Sequence, residues 1–292
     1  VLYKIQKFQV NGLSLNARVW GPDSGLPVLG MHGWLDNAAT FDRMAPFLPG
    51  LRLVSVDFPG HGFSDFLPPY VSYSNIDRAL QMFQLADVLG WKEFSIMGHS
   101  LGGIVGEIMA AIAPDRIKKI ALIDVFGGLS KPADTIIAQL RNHLRVKEGE
   151  LVHSVYLTLE DAAIMRARVN LTRQLSVEGA RVLAEGGMQK VPGGYSWTFD
   201  TRLQLPTPII LTDDQLKTIL HHFTSDCALI LGDQGILHEY QGHSMLREYK
   251  QFGWNNEVFP HVQVHELEGG HHLHLDTPEP VAKILAEFFE ID

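Results

Sequence analysis

The chain has 292 residues, 46% of them hydrophobic and 20% charged, which suits one large α/β domain, or a core with an insertion, of an ordinary soluble globular protein. A formal net charge of −9, with no basic stripe and interleaved aromatics, excludes nucleic-acid binding as a reading, and no apolar run reaches membrane-span length. The single cysteine, Cys227, rules out an internal disulfide and fits a reducing compartment. Because Cys227 opens an apolar run, it reads as a buried thiol and not as a nucleophile. The first residues, Val1–Lys7, hold no signal-peptide core, so a cytoplasmic location is expected. No pattern in the chain speaks to oligomeric state.

In chain order, Tyr3–Val10 and Leu13–Trp20 flank Asn11-Gly12 and predict a two-residue hairpin. Pro27–Met31 reads as a short core strand that runs into His32-Gly33-Trp34, where the glycine permits close backbone approach. Leu51–Asp57 is the next strand. In the following Asp57-Phe58-Pro59-Gly60-His61-Gly62-Phe63-Ser64-Asp65 segment, Asp57, His61 and Ser64 are expected to hold the loop's shape. A helix is predicted over Ile76–Leu89 and a buried strand over Phe94–Met97. Gly98-His99-Ser100-Leu101-Gly102 comes next, ahead of a helix over Leu101–Ala113 whose Ile104, Val105, Ile108, Met109 and Ile112 recur at helical spacing. Strand, GxSxG and helix together are the context a nucleophile elbow needs: a sharp turn lifts the serine hydroxyl above the sheet at a helix N-terminus. His99 is expected to support that turn and not to act as a second base.

A strand over Ile117–Ile123 ends in Asp124. About a hundred residues separate it from the next core strand, Ala228–Leu231, far beyond an ordinary connection. Helical patterns over Thr135–Arg145, Leu159–Leu171 and Val177–Ala184 precede breaks at Val191-Pro192-Gly193-Gly194 and Leu205-Pro206-Thr207-Pro208. The expectation is a core in two parts, 1–125 and 226–292, with a mostly helical cap over 126–225 at the C-terminal edge of a mostly parallel sheet. A last strand, Val262–Leu267, leads into Gly269-Gly270-His271-His272-Leu273-His274-Leu275-Asp276. A final helix over Val281–Phe289 follows, with Thr277 as its expected cap and Pro278 in its first turn.

A serine hydroxyl needs a base to take its proton, and the base needs an acid to orient it. Ser100 is the candidate nucleophile, and His271, directly after the Gly-Gly turn, the candidate base. The Leu101 N–H and the Trp34 N–H are the expected oxyanion donors. The acid is open between two strand ends, Asp124 and Asp233. His272 and His274 read as structural, and a metal site from His272, His274 and Asp276 is set aside because no second ligand group has recognisable spacing. Met165, Leu171, Leu183, Trp197 and Phe199 are apolar candidates for a substrate pocket or for plain core.

The ordered series His32-Gly33-Trp34, Asp57 to Asp65, Gly98-His99-Ser100-Leu101-Gly102-Gly103 and Gly270-His271 resembles the α/β-hydrolase superfamily over essentially the whole chain. His32-Gly33-Trp34-Leu35-Asp36-Asn37 followed by Phe41-Asp42 is most similar to its serine hydrolase-like branch. The resemblance implies an eight-stranded sheet, helices on both faces, a cap, a Ser-His-Asp triad and no cofactor. The family commonly carries its acid in a Gly-x-x-Asp turn; here the turn reads Gly232-Asp233-Gln234-Gly235, with glycine in that place. Some branches carry the acid at the end of the preceding strand, where Asp124 stands, so Asp124 is the expected acid and Asp233 the alternative. The implied activity is a serine hydrolase of small-molecule carboxylic esters or related acyl compounds. Thioester, lactone, C–C bond and perhydrolase chemistry, or a catalytically weak ligand-binding role, are the alternatives on the same fold.

Overall fold

The computed structural model describes residues 3–145, 151–168, 175–236 and 259–291. Its main sheet has eight strands: β1 (Tyr3–Val10), β2 (Leu13–Trp20), β3 (Leu26–Met31), β4 (Leu51–Val56), β5 (Phe94–His99), β6 (Ile117–Ile123), β9 (Asp226–Gly232) and β10 (Val262–Leu267). The spatial order is β1-β2-β4-β3-β5-β6-β9-β10, antiparallel over the first two pairings and parallel over the rest. The order reverses at β3, whose neighbours are β4 on one side and β5 on the other. Such a switch point opens a crevice at the carboxyl ends of the strands, where the loops after β3 and β5 meet.

The strands read as continuous apolar runs because both faces are covered, and successive residues go to opposite cores. Leu29, Ile96, Ile120, Leu122, Leu229 and Leu231 join α1 (Asn75–Val88) and α2 (Leu101–Ile112) on one face. Val28, Met97, Ala121, Ile123, Ala228 and Ile230 join the final helix on the other. Cys227 is buried in the first of these cores.

Between β6 and β9 lie α3 (Ile136–Arg145), α4 (Leu159–Ala167), α5 (Val177–Gly187), an antiparallel pair β7 (Met188–Val191) and β8 (Gly194–Trp197), and α6 (Asp213–His222). Thr158 and Thr212 begin α4 and α6 with reciprocal side-chain caps. The glycines at 193 and 194, read from sequence as a break between helices, turn this small hairpin. Its strands are too short and too weakly alternating to be seen by period alone. Within 126–225, α6 packs Leu216 and Leu220 into the core of β6 and β9, whereas α4 and α5 bury Ala163, Ala180 and Leu183 in a cluster of their own with Leu275. The far end of the helical pattern predicted to reach Leu171 lies outside the described residues.

The final helix, α7, runs Pro278–Phe289, three residues earlier than its apolar stripe alone suggests. Thr277 precedes it but does not cap it by hydrogen bond. Its hydroxyl donates instead to the Leu273 carbonyl at 3.1 Å, bonding back into the preceding turn. No helix among the described residues is long and apolar enough to cross a membrane.

Candidate active site

Ser100 has φ 50° and ψ −117°, a strained conformation for a residue with a side chain, between the end of β5 and the first turn of α2. The strain is fixed by packing. A Cβ on Gly98 would lie 2.6 Å from the Gly103 nitrogen, and one on Gly102 2.1 Å from the Met31 carbonyl oxygen, so helix and strands meet backbone to backbone. The Leu101 N–H belongs to the first turn of α2, which has no intrahelical acceptors to offer it. The strip after β3 passes against the elbow: a Cβ on Gly33 would lie 2.9 Å from His99 Nδ1. Trp34 is half-exposed in this strip, with its indole N–H donating to the Leu203 carbonyl at 3.0 Å.

Asp124 directly follows β6 next to this turn, and the Ser100 N–H donates to the carbonyl of Ile123 at 3.2 Å. With φ 48°, Asp124 swings its buried carboxylate across the sheet edge. Oδ1 accepts the Gly232 N–H at 3.2 Å, and Oδ2 accepts the Ile236 N–H at 2.8 Å and His271 Nδ1 at 2.6 Å. The last contact fixes the tautomer, with hydrogen on Nδ1 and the Nε2 lone pair exposed to the other side of the ring. His271 lies over His99, ring centroids 4.6 Å apart, so the ring stands beside the elbow. Asp233, the other aspartate considered, turns away: its Oδ1 accepts the Gly269 N–H at 2.9 Å and braces the loop leading to His271.

The surrounding loops are held by buried polar groups. Asp57 accepts the Ala38 N–H at 2.6 Å, Asn16 Nδ2 at 2.8 Å and the Phe63 N–H at 2.9 Å; the Ser64 hydroxyl donates to the Asp57 carbonyl at 2.6 Å. His32 Nε2 accepts the Phe58 N–H at 3.1 Å, which puts the ring hydrogen on Nδ1, 2.7 Å from the Gly33 carbonyl. His61, buried and packed on His32, has its basicity pushed far down by burial. Asp57 and Ser64 thus tie the loop together as expected, and His61 packs within it.

Asp36, which carries no signal of its own in the sequence, stands at the centre of a buried polar cluster. Its buried carboxylate receives Arg166 of α4 on Oδ1 at 2.8 Å and His272 Nε2 on Oδ2 at 3.1 Å, while His99 Nδ1 lies 3.6 Å from Oδ2. Burial alone would raise the Asp36 carboxyl, but His272 and Arg166 hold it well below the ordinary carboxylate range. Burial lowers His272 to about 3, so it is neutral at neutral pH and donates Nε2–H. His99 Nε2 meets the His271 carbonyl at 2.9 Å, which fixes the hydrogen there and leaves Nδ1 a lone pair without a hydrogen-bond partner among the described residues. Asp36, His99 and His272 thus offer three donor atoms within 4.8 Å of one another. They do not suit a divalent ion, because Arg166 already neutralises the carboxylate and an ion would leave surplus positive charge among buried groups. No sequence signal marks Asp36 and Arg166 as partners, since they stand 130 residues apart.

Of the triplet weighed for a metal, His274 pairs with Thr40 at 2.8 Å and Asp276 accepts the Ser176 hydroxyl at 2.6 Å, so these side chains diverge. Among the apolar candidates Leu183 and Phe199 are buried, Trp197 is partly covered and Met165 is exposed, while Leu171 lies outside the described residues.

A family described as alpha/beta hydrolase fold matches residues 27–147. A serine hydrolase-like protein of Danio rerio is 31% identical over 284 residues, covering 94% of this chain and 85% of that one. The crystal structure of a hypothetical protein from Pseudomonas aeruginosa PAO1 is 37% identical with a TM-score of 0.90, covering 98% of this chain and 99% of that one. A thioesterase domain from the curacin biosynthetic pathway shares the fold at TM-score 0.80 and 22% identity, covering 98% and 99%.

Proposed function

Since the chain belongs to the α/β-hydrolase family and has serine hydrolase-like relatives, we propose that it cleaves small-molecule carboxylic esters or related acyl compounds through a covalent intermediate on Ser100. The observation that carries this reading is the buried 2.6 Å contact between Asp124 Oδ2 and His271 Nδ1 beside a strained serine. A contact of that kind turns His271 Nε2 into a base with a fixed direction, and stabilises the imidazolium once the proton arrives.

In the proposed reaction Ser100 Oγ bonds to the substrate carbonyl carbon as its proton passes to His271 Nε2. The carbonyl oxygen takes up the electron pair and is held by the Leu101 and Trp34 N–H groups. Collapse breaks the bond to the leaving group, which takes the proton from His271. Water then attacks the acyl-enzyme, with His271 again as base, and releases the acid and free Ser100. The 126–225 insertion is the proposed cap over this site, with Trp197 and Phe199 as candidates for its apolar lining; Leu183 serves the cap's own core.

The test is time-resolved release of p-nitrophenol from short- and medium-chain esters. Wild type should give a burst and steady turnover; Ser100→Ala should abolish both, and Asp124→Asn should lower kcat by roughly 10³- to 10⁴-fold through the wrong imidazole tautomer. Asp233→Asn should stay within about threefold of wild type. Loss in Asp233→Asn with Asp124→Asn intact would overturn the acid assignment. A folded wild type that neither turns over esters or thioesters nor is labelled at Ser100 by a fluorophosphonate would overturn the hydrolase reading in favour of a binding protein.

A further inference from the structure

We propose that Asp36 and Arg166 are positioning residues through which the insertion sets the geometry of the reaction centre, an inference that rests on the serine-hydrolase reading. Three successive polar side chains of the strip after β3 are each bonded to the insertion. Trp34 Nε1 donates to Leu203 O at 3.0 Å, Asp36 Oδ1 accepts Arg166 at 2.8 Å, and Asn37 Nδ2 donates to Leu183 O at 2.9 Å. This strip carries the Trp34 N–H assigned to the oxyanion, and Leu35 within it is held at φ 61°, a conformation that persists only where its surroundings impose it.

Asp36 then passes the constraint inward. Its second oxygen faces His272 and His99, the residues adjoining His271 and Ser100 in the chain, and His99 bonds to the His271 carbonyl. One carboxylate therefore bonds to the insertion on one side and, on the other, to His272 next to His271, with His99 Nδ1 3.6 Å away. Its charge is balanced by a guanidinium that comes from α4, so an insertion displaced from its seat leaves a buried anion without its cation. That state is strongly disfavoured, which makes seating and site geometry a single event. A displacement of about 1 Å at an oxyanion donor is enough to lower a rate by up to about 100-fold.

The experiment compares wild type, Arg166→Met, Arg166→Lys and Trp34→Phe by the rate of the p-nitrophenol burst and by hydrogen exchange of the strip 33–37. Arg166→Met should slow acylation about 10- to 100-fold with KM changed less than about threefold, and should speed exchange of that strip but not of β3. Arg166→Lys should regain a substantial part of both, which lost packing alone would not give. Should Arg166→Met fail to fold, Trp34→Phe removes one bond from a half-exposed ring and should give the same pattern in weaker form. Unchanged acylation or unchanged exchange in folded Arg166→Met or Trp34→Phe would overturn the proposal. A wild type without Ser100 acylation would overturn the hydrolase reading alone; exchange would then decide whether Arg166 holds the strip, faster in Arg166→Met if it does and unchanged if it does not.

Discussion

At position 235 the side chain is absent because another residue's carboxylate fills its space. A Cβ on Gly235 would lie 2.0 Å from Asp124 Oδ1, inside contact distance of the group that meets His271. Two acids cannot share this place, so glycine in the turn after β9 and aspartate after β6 are two halves of one arrangement. Asp124 reaches in only by adopting φ 48°, a backbone state that glycine adopts freely. It follows that Asp124→Gly should relieve that strain while removing the proposed acid, and that adding Gly235→Asp should bring a carboxylate back from the other strand end. The double variant should hydrolyse p-nitrophenyl esters at least tenfold faster than Asp124→Gly alone, and Gly235→Ala alone should lose most activity by displacing Asp124. Equal rates for the single and double glycine variants would mean that the carboxylate must arrive from β6.

Along the elements, α2 carries a group that its sequence pattern hides. Glu107 is fully buried in a helix otherwise apolar on that face, where its Oε1 accepts the Gly127 N–H at 2.8 Å. Burial pushes its carboxyl up to about 8, against an ordinary value of 4.5. The folded state therefore holds a proton that the unfolded chain releases, so this contribution is complete below about pH 4.5 and is lost as pH rises through 8. Glu107→Gln copies the protonated form and keeps an acceptor for Gly127. It should leave stability unchanged near pH 4.5 and raise it by a few kcal/mol, on the order of 2–4, at pH 8, read from urea midpoints at both pH values. A variant no more stable at pH 8 would show that Glu107 is ionised without cost. Elements of this kind also mark how far sequence carries. The main strands and α1, α2 and α7 were legible to within a few residues because a strand buried on both faces is a continuous apolar run and a helix over it keeps a 3.6-residue stripe. The β7–β8 hairpin and the Thr277 side chain were not, since each depends on what packs nearby. The GxSxG turn and His271 lie at strand ends that the pattern locates, but Asp36 and Arg166 meet only through the tertiary fold.

For the molecule as a whole, the buried histidines set the response to acid. Burial lowers the basicity of His32, His61, His99, His272 and His274, His272 to about 3 and His61 and His274 well below the ordinary value. An unfolded chain protonates each of them near the ordinary value of 6.5, whereas the folded chain resists. Their contribution is therefore present above about pH 6.5 and is lost as pH falls toward the folded values, by up to about 1.4 kcal/mol per pH unit for each ring. His99 stands with ring centroids 4.7 Å from His272 and 4.3 Å from His274, so a proton on one raises the cost of a proton on the next. The folded state cannot titrate this cluster stepwise at small cost; global unfolding is the route that charges all the rings at once. Each ring adds to the fall in stability as the solution is acidified, against a typical total of only roughly 5–15 kcal/mol. Urea unfolding at pH 7, 6 and 5 should give steadily falling midpoints with one cooperative transition, and calorimetry in two buffers of different ionisation heat should show uptake of several protons on unfolding. Side-chain nitrogen NMR that showed these rings charged in the folded state between pH 7 and 5 would overturn the neutral tautomers assigned to His99 and His272 beside Asp36.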